Sequence, residues 1–294
     1  MKKENRGVNI VLHIFFIVLC ALCVFPVLLT LSISFTDESM LFEKGYQLIP
    51  SKFTLDAYKW VFGSTGTILR AYANTIWVTF AGTIFGVAVT ALYAYVISRP
   101  DFKYRNAFSF FSYFTMLFNG GLVASYLINT RMLGLGNSMA ALIIPGTLSA
   151  WNVMVMKAFF DTSVPISIIE SGKLDGASEL RIFTKLVVPI AKPGIMTIAL
   201  FLVLNKWNDW STPMLYITDR EKYTLAFLMQ NMLTNIQEMV SASQHAGVTL
   251  DMGEVPQEGG KMALCIVTAG PILIAYPFFQ KYFIQGMTIG AVKG

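Results

Sequence analysis

The sequence predicts an all-α, polytopic membrane protein with six transmembrane helices and one structured cytoplasmic loop, all within a single domain over 1–294. Three observations lead there. Only 13% of the residues are charged and 55% are hydrophobic, whereas an ordinary soluble domain carries about 25% charged residues. Long runs contain no Asp, Glu, Lys or Arg, and about 20 apolar residues suffice to cross ~30 Å of hydrocarbon as a helix. The central stretch ESGKLDGASELRIFTKLVVPIAKPG, at 170–194, carries seven charges. Each would cost roughly 2.5–3.5 kcal/mol at mid-membrane, so this stretch cannot itself be a span.

The first span, 8–34, follows Lys2, Lys3 and Arg6. Its uncharged run is too long for a secretion-signal core of about 7–15 residues, and no small-x-small site closes it. Leucines, not small residues, precede Cys20 and Cys23, so lipoprotein processing does not fit and the span reads as a retained anchor. A polar loop over about 35–70 leads to spans 71–98, 106–130 and 132–156. The fifth span, 188–208, contains Lys192 near one end, where its long stem can carry the ammonium to the interface. The second long polar loop, about 211–261, contains YTLAFLMQNMLTNIQEMVSAS. There Leu225, Leu228, Met229, Met232, Leu233, Ile236, Met239 and Val240 recur at helical spacing and predict an amphipathic helix. The sixth span is 262–281.

Orientation follows from the basic residues. With the N-terminus inside, thirteen of the 22 Lys and Arg residues fall in inner segments. The outer ones lie mostly in the two long loops, which translocate with little regard to charge. Both termini, the short loop RPDFKYRN and the central segment are therefore expected in the cytoplasm. Cys20, Cys23 and Cys265 sit in apolar runs as small hydrophobes, and His13 does not complete a zinc site with them.

The loop at about 161–188 has its own internal order. Pro165 suits the first turn of a helix, with Ser163 as its cap, and Ile166 and Ile169 share a face. Gly172 and Leu174-Asp175-Gly176 end that helix in a sharp turn. A second helix starts near Ser178, with Ile182, Phe183, Leu186 and Val187 in one arc and Arg181 and Lys185 on the other side. Pro189 and Pro193 kink the entry into the fifth span. This helix-turn-helix, apolar on one side and charged on the other, suits the grip of a soluble partner. A loop that merely caps the bundle would have the same pattern.

The segment resembles the EAA loop of permease subunits in bacterial type I ABC importers, in which Glu-Ala-Ala is followed by three residues, Gly, and about nine residues before Ile-x-Leu-Pro. Glu170, Ser171, Gly172, Gly176 and Pro189 stand at those positions. LDGAS…F…LVVPIAKPG is similar to the carbohydrate-uptake class, maltose-type and LplC-like permeases, and FNGGLVASYL, ALIIPGTLSAWNVMVMKAFF and LNKWNDW resemble further parts of that class. Gly172 stands where Ala is usual, which should loosen the first helix by roughly 0.5–1 kcal/mol, and Val188 stands where Leu is usual.

The resemblance implies that the loop docks as a coupling helix into a cleft of a cytosolic ATPase. Glu170, Ser171, Gly172, Leu174, Asp175, Gly176, Ala177, Phe183 and Pro189 would form the coupling site. Glu170 would accept from basic groups, and Gly176 would let the backbones approach closely. It also implies a bacterial cytoplasmic-membrane subunit forming half of a pathway for a sugar or oligosaccharide. Its partners would be a second related permease, two ATPase subunits and an extracytoplasmic sugar-binding protein, with lipid around it and no nucleic acid. ATP and Mg would sit on the ATPase, with no cofactor on this chain.

The rest of the sequence is consistent with that expectation. GGKM at 259–262 lacks both the earlier Gly and the following Ser or Thr of a phosphate loop. With two histidines far apart, no nucleophile-base set emerges, so an enzyme is not expected. The span centres lack ionisable groups, which disfavours the alternative of a secondary, ion-coupled transporter. A purely structural anchor would leave the polar residues inside the spans without a purpose. Of these, Tyr113, Asn119, Asn152, Asn205, Asn208 and Trp207 are the substrate-path candidates, because amides and aromatic faces suit a neutral sugar. The same residue types also join helices and form interfacial belts. Asn119 precedes Gly120 and Gly121, and the two glycines predict a broken helix.

Overall fold

The computed structural model describes residues 6–63, 65–246 and 258–291. Among them the chain is helical and has no strand beyond an isolated antiparallel bridge between Thr36 and Phe53. A helix satisfies its backbone donors and acceptors within one segment, the requirement that lipid imposes on so apolar a chain. The residues divide into two compact units, one of Met1–Ile68 with Met229–Pro271 and one of Leu69–Leu228 with Ile272–Gly294.

In the first unit, α1 (Arg6–Ser34) is apolar on every side, and residues such as Ile10, Val11, Phe15, Ile17 and Leu22 are exposed. A free-standing apolar helix of this length is suited to lipid. Short helices α2 (Glu38–Lys44) and α3 (Asp56–Phe62) follow, so the first long polar loop is ordered. The Glu38 carboxylate accepts from the backbone N–H groups of Glu258 (2.8 Å) and Gly259 (3.0 Å), at the positive start of the last helix.

The second unit holds most of α4 (Thr65–Ser98), then α5 (Arg105–Leu117) and α6 (Gly121–Leu127) with a π-helical turn to Met132. It continues through α7 (Ala140–Ile143), α8 (Ala150–Ser163), α9 (Ile166–Leu174), α10 (Glu179–Ile182), α11 (Val188–Ile190), α12 (Lys192–Trp207) and α13 (Ser211–Tyr216). Helices α14 (Leu225–Ala246) and α15 (Glu258–Ala291) run across the division between the units. Leu225, Leu228, Met229 and Ile236 of α14 are buried, in accord with the expected stripe. The side chains of Met239 and Val240 lie outside the described residues.

Among the described residues, α1 and α4 are long and apolar enough to cross a membrane alone, and up to five crossings result if each sharply bent helix pair is one span. The expected spans 8–34 and 71–98 are continuous helices. The expected span 106–130 bends by 114° between Leu117 and Gly121, where Gly121 takes φ +84°. Residues 132–156 do not form one helix: a loop follows Met132, α7 is a single turn, and the chain breaks again at Pro145-Gly146 before α8. Hydropathy registers neither break, because turn-forming glycines and prolines leave an apolar run apolar. The segment 188–208 enters α12 through an 84° bend, as Pro189 and Pro193 predict.

Candidate functional site

The loop between α8 and α12 folds as two short helices on a buried floor. A 77° bend separates α8 from α9. Pro165 takes the cap position of α9, with φ −62° and ψ 133°. Ser163, the expected cap, is instead the last residue of α8, and its buried hydroxyl finds no hydrogen-bond partner among the described residues. The buried pair of α9 is Ile169 with Gly172, while Ile166, on the first turn beside the bend, is exposed.

At the other end of α9 the N–H of Gly176 donates to Lys173 O and that of Ala177 to Gly172 O, both at 3.0 Å. This pair of bonds is the Schellman arrangement, which needs a left-handed residue just past the helix, and Gly176 supplies it at φ +73°. The second helix starts where expected, and Ser178 caps it by accepting from the Arg181 N–H. A π-helical turn at Phe183–Val187, not foreseen from the sequence, widens the backbone before Pro189.

Ile182, Phe183 and Val187 join Ala94, Tyr95 and Ile97 of α4, Val153, Met156 and Phe160 of α8, and Ile198 of α12 in one core. The nine expected coupling residues therefore divide. Glu170, Ser171, Leu174, Asp175, Gly176 and Pro189 are exposed, Leu174 at 89%. Ala177 is half-buried, and Gly172 and Phe183 face the core. An added Cβ on Gly172 would lie 3.0 Å from Leu186 Cδ1 and 3.1 Å from Ile182 Cγ1. The glycine expected to loosen α9 is thus the one that lets α9 seat against α10.

Charges bind the same loop to the short turn after α4. Arg99, buried at the end of α4, forks onto Asp101 through Nε to Oδ1 (2.9 Å) and Nη2 to Oδ2 (2.8 Å). Lys173 Nζ of α9 donates to the same Asp101 Oδ2 (2.6 Å) and to Glu179 Oε1 (3.1 Å). Glu179 Oε2 in turn accepts from the Tyr95 hydroxyl (3.2 Å) and Arg99 Nη1 (3.4 Å). The Arg99 guanidinium, then Lys173, hold the Asp101 carboxyl well below the usual carboxylate range. The sequence pattern singles out none of these four charged residues, because in a sequence they register only as loop charge.

Of the substrate-path candidates, the structure brings two together. Asn152 of α8 and Asn205 of α12 line a cavity of about 410 Å³ with Ser149, Trp151, Phe201 and Leu202. Asn119 is at the α5–α6 break, its Oδ1 accepting from the Gly121 N–H (2.9 Å), and Tyr113 is exposed on α5. Asn208 closes α12 on Leu204 O (2.9 Å), and Trp207 is buried. None of these four lines that cavity.

Beside Asn205, Lys206 is buried and its Nζ donates to Leu142 O at 2.7 Å, with Ile143 O and Pro145 O at 3.4 Å. It holds the backbone at the α7–α8 break, next to Gly146 and Ser149 of the cavity wall. A lysine within a hydrophobic segment carries no sequence signal for such acceptors.

Residues 82–289 match the family described as the inner membrane component of binding-protein-dependent transport systems. The chain belongs to that family. It is 35% identical over 99% of its length to all of the polygalacturonan/rhamnogalacturonan transport system permease protein YtcP of Bacillus subtilis. It is 36% identical to protein LplC of the same organism, over 93% of this chain and 90% of that one. Among solved structures, a bacterial ABC transporter involved in the import of the acidic polysaccharide alginate matches with a TM-score of 0.79 and 26% identity, over 96% of this chain and 99% of that one.

This binding-protein-dependent permease is therefore a membrane-embedded transport subunit of an ABC importer, not an enzyme. Such a subunit works with an ATPase and a substrate-binding protein. No group of His, Cys, Asp or Glu able to hold a metal occurs among the described residues.

Proposed function

We propose that this permease forms half of the pathway of an ATP-driven oligosaccharide importer. A second related permease supplies the other half, two ATPase subunits drive it, and an extracytoplasmic binding protein delivers the ligand. One observation carries the coupling role: the exposed face from Glu170 to Gly176 stands on a loop whose other side is locked into the core of α4, α8 and α12. A push on that face moves packed helices, not a slack connection. The loop faces the cytoplasm, as do both termini, and six segments cross the bilayer.

Saccharide as cargo is supported by the names of the relatives, which include polygalacturonan/rhamnogalacturonan, arabinooligosaccharide and maltodextrin permeases. The amide and aromatic lining of the Asn152–Asn205 cavity offers the hydrogen bonds and flat faces that sugar rings use. ATP and Mg bind on the ATPase.

The test is reconstitution in liposomes with the partner permease, ATPase and binding protein, followed by uptake of labelled oligogalacturonides and maltodextrins. Accumulation that requires ATP is the expected result. Accumulation driven by a proton or sodium gradient without the ATPase would instead establish an ion-coupled carrier.

A further inference from the structure

The four-charge cluster ties the coupling loop to a part of the chain that the loop's own sequence does not include. Lys173 and Asp101 are 72 positions apart, and Arg99 and Glu179 are 80 apart. The two cations and two carboxylates close a ring in which each member touches two others: Arg99 and Lys173 both reach Asp101, and both reach Glu179. Exposed ion pairs have a median worth of only about 0–1 kcal/mol. This ring differs, because the Arg99 side chain is 10% exposed, its fork is bidentate, and the Tyr95 hydroxyl bonds to both Arg99 Nη1 (2.7 Å) and Glu179.

Each end of the ring leads elsewhere. Lys173 adjoins exposed Leu174 on α9, and Glu179 opens α10, where a carboxylate suits the helix start. On the other side, Asp101 belongs to the turn between α4 and α5, and Phe102 of that turn contacts Phe108 of α5 with ring centroids 5.8 Å apart. Tyr93 of α4 donates to Phe108 O (3.1 Å) and bonds to Ser112 (2.9 Å). α5 is the helix that runs into the 114° break at Gly121.

We infer that the Arg99–Asp101–Lys173–Glu179 ring is a latch that makes the 99–104 turn the second half of the coupling element, delivering displacement of the loop to α4 and α5. Asp101 is then a positioning residue for transport, although it lies outside the loop that receives the ATPase. The fully buried residues of α9 are Ile169 and Gly172, and the latch adds a polar hold on the helices behind. The inference rests on the reading of that loop as the ATPase dock.

The experiment uses the full reconstituted importer with Asp101→Asn, Lys173→Met and the double variant. ATPase pull-down, hydrolysis rate and sugar transported per ATP are recorded for each. Asp101→Asn should retain the ATPase and its hydrolysis while sugar per ATP falls about fivefold, within the range of coupling between contacting residues. The double variant should lose less than the product of the two single losses, because both substitutions open the same Asp101–Lys173 contact. An unchanged ratio in Asp101→Asn, or losses that multiply in the double variant, would overturn the latch.

A second measurement does not depend on any variant folding. In the wild-type importer, nucleotide binding should change amide hydrogen exchange at 99–105 together with that at 165–185. A change confined to 165–185 would also overturn the inference. If the wild-type chain fails to retain the ATPase at all, the functional reading fails instead, and the two failures are distinct.

Discussion

Gly176 offers the sharpest test of the docking surface because strain and obstruction separate there. Its φ of +73° costs an L residue about 1–2 kcal/mol, and more if the side chain is branched at Cβ. Among the described residues nothing lies within 4 Å of an added Cβ, so they impose no clash. Gly176→Val should therefore leave membrane insertion intact, since insertion depends on the apolar helices. Its strain acts on the turn bonds to Gly172 and Lys173, and each 1.4 kcal/mol spent restoring the turn on docking weakens ATPase binding about tenfold.

Asparagine tolerates the left-handed region, so Gly176→Asn adds a side chain with little strain. If the ATPase backbone approaches Gly176 closely, both variants should lose affinity by about tenfold or more. The assay is titration of the purified ATPase onto the detergent-solubilised permease pair, with sugar uptake and expression followed in parallel. Full ATPase affinity in Gly176→Asn would refute the close approach and leave strain as the only role of the glycine. Full affinity and uptake in Gly176→Val as well would refute docking at this turn.

Three further outcomes are expected. Gly172→Leu should lower stability by about 1–3 kcal/mol through overpacking against Ile182 and Leu186, read by thermal unfolding in detergent, and an unchanged melting temperature would mean that α9 does not seat against α10. Lys206→Met removes the ammonium from Leu142 O and should cost about 1–2 kcal/mol, as for an interhelical hydrogen bond in a membrane protein; a variant as stable as the wild type would show that the α7–α8 break needs no such tether. In a background lacking Cys20, Cys23 and Cys265, Ser178→Cys and Ser51→Cys should label from opposite sides of the membrane, and labelling of position 178 from outside intact cells would overturn the topology.

The sequence by itself determined whatever depends on neighbours a few positions away. The charge-free runs of α1 and α4, the α14 stripe, the helix start near Ser178, the turn at Gly176 and the breaks at Gly120-Gly121 and Pro189–Pro193 are all local balances of burial, backbone freedom and capping. Each was legible because the residues that settle it lie within a turn or two of chain. The motif at Glu170–Gly176 was legible for the same reason, as a pattern of spacing.

What only the tertiary structure decided is how distant segments meet. That Gly172 serves packing follows from where α10 lies, and Asn152 and Asn205 share a cavity because α8 and α12 come together, while Asn119 and Asn208 spend their side chains on local backbone. Lys173 meets Asp101 and Lys206 meets the Leu142 carbonyl, 72 and 64 positions away. A sequence assigns those lysines a charge, but only the packing of helices assigns that charge a partner, because an ion pair or a charged hydrogen bond is a property of distance and burial.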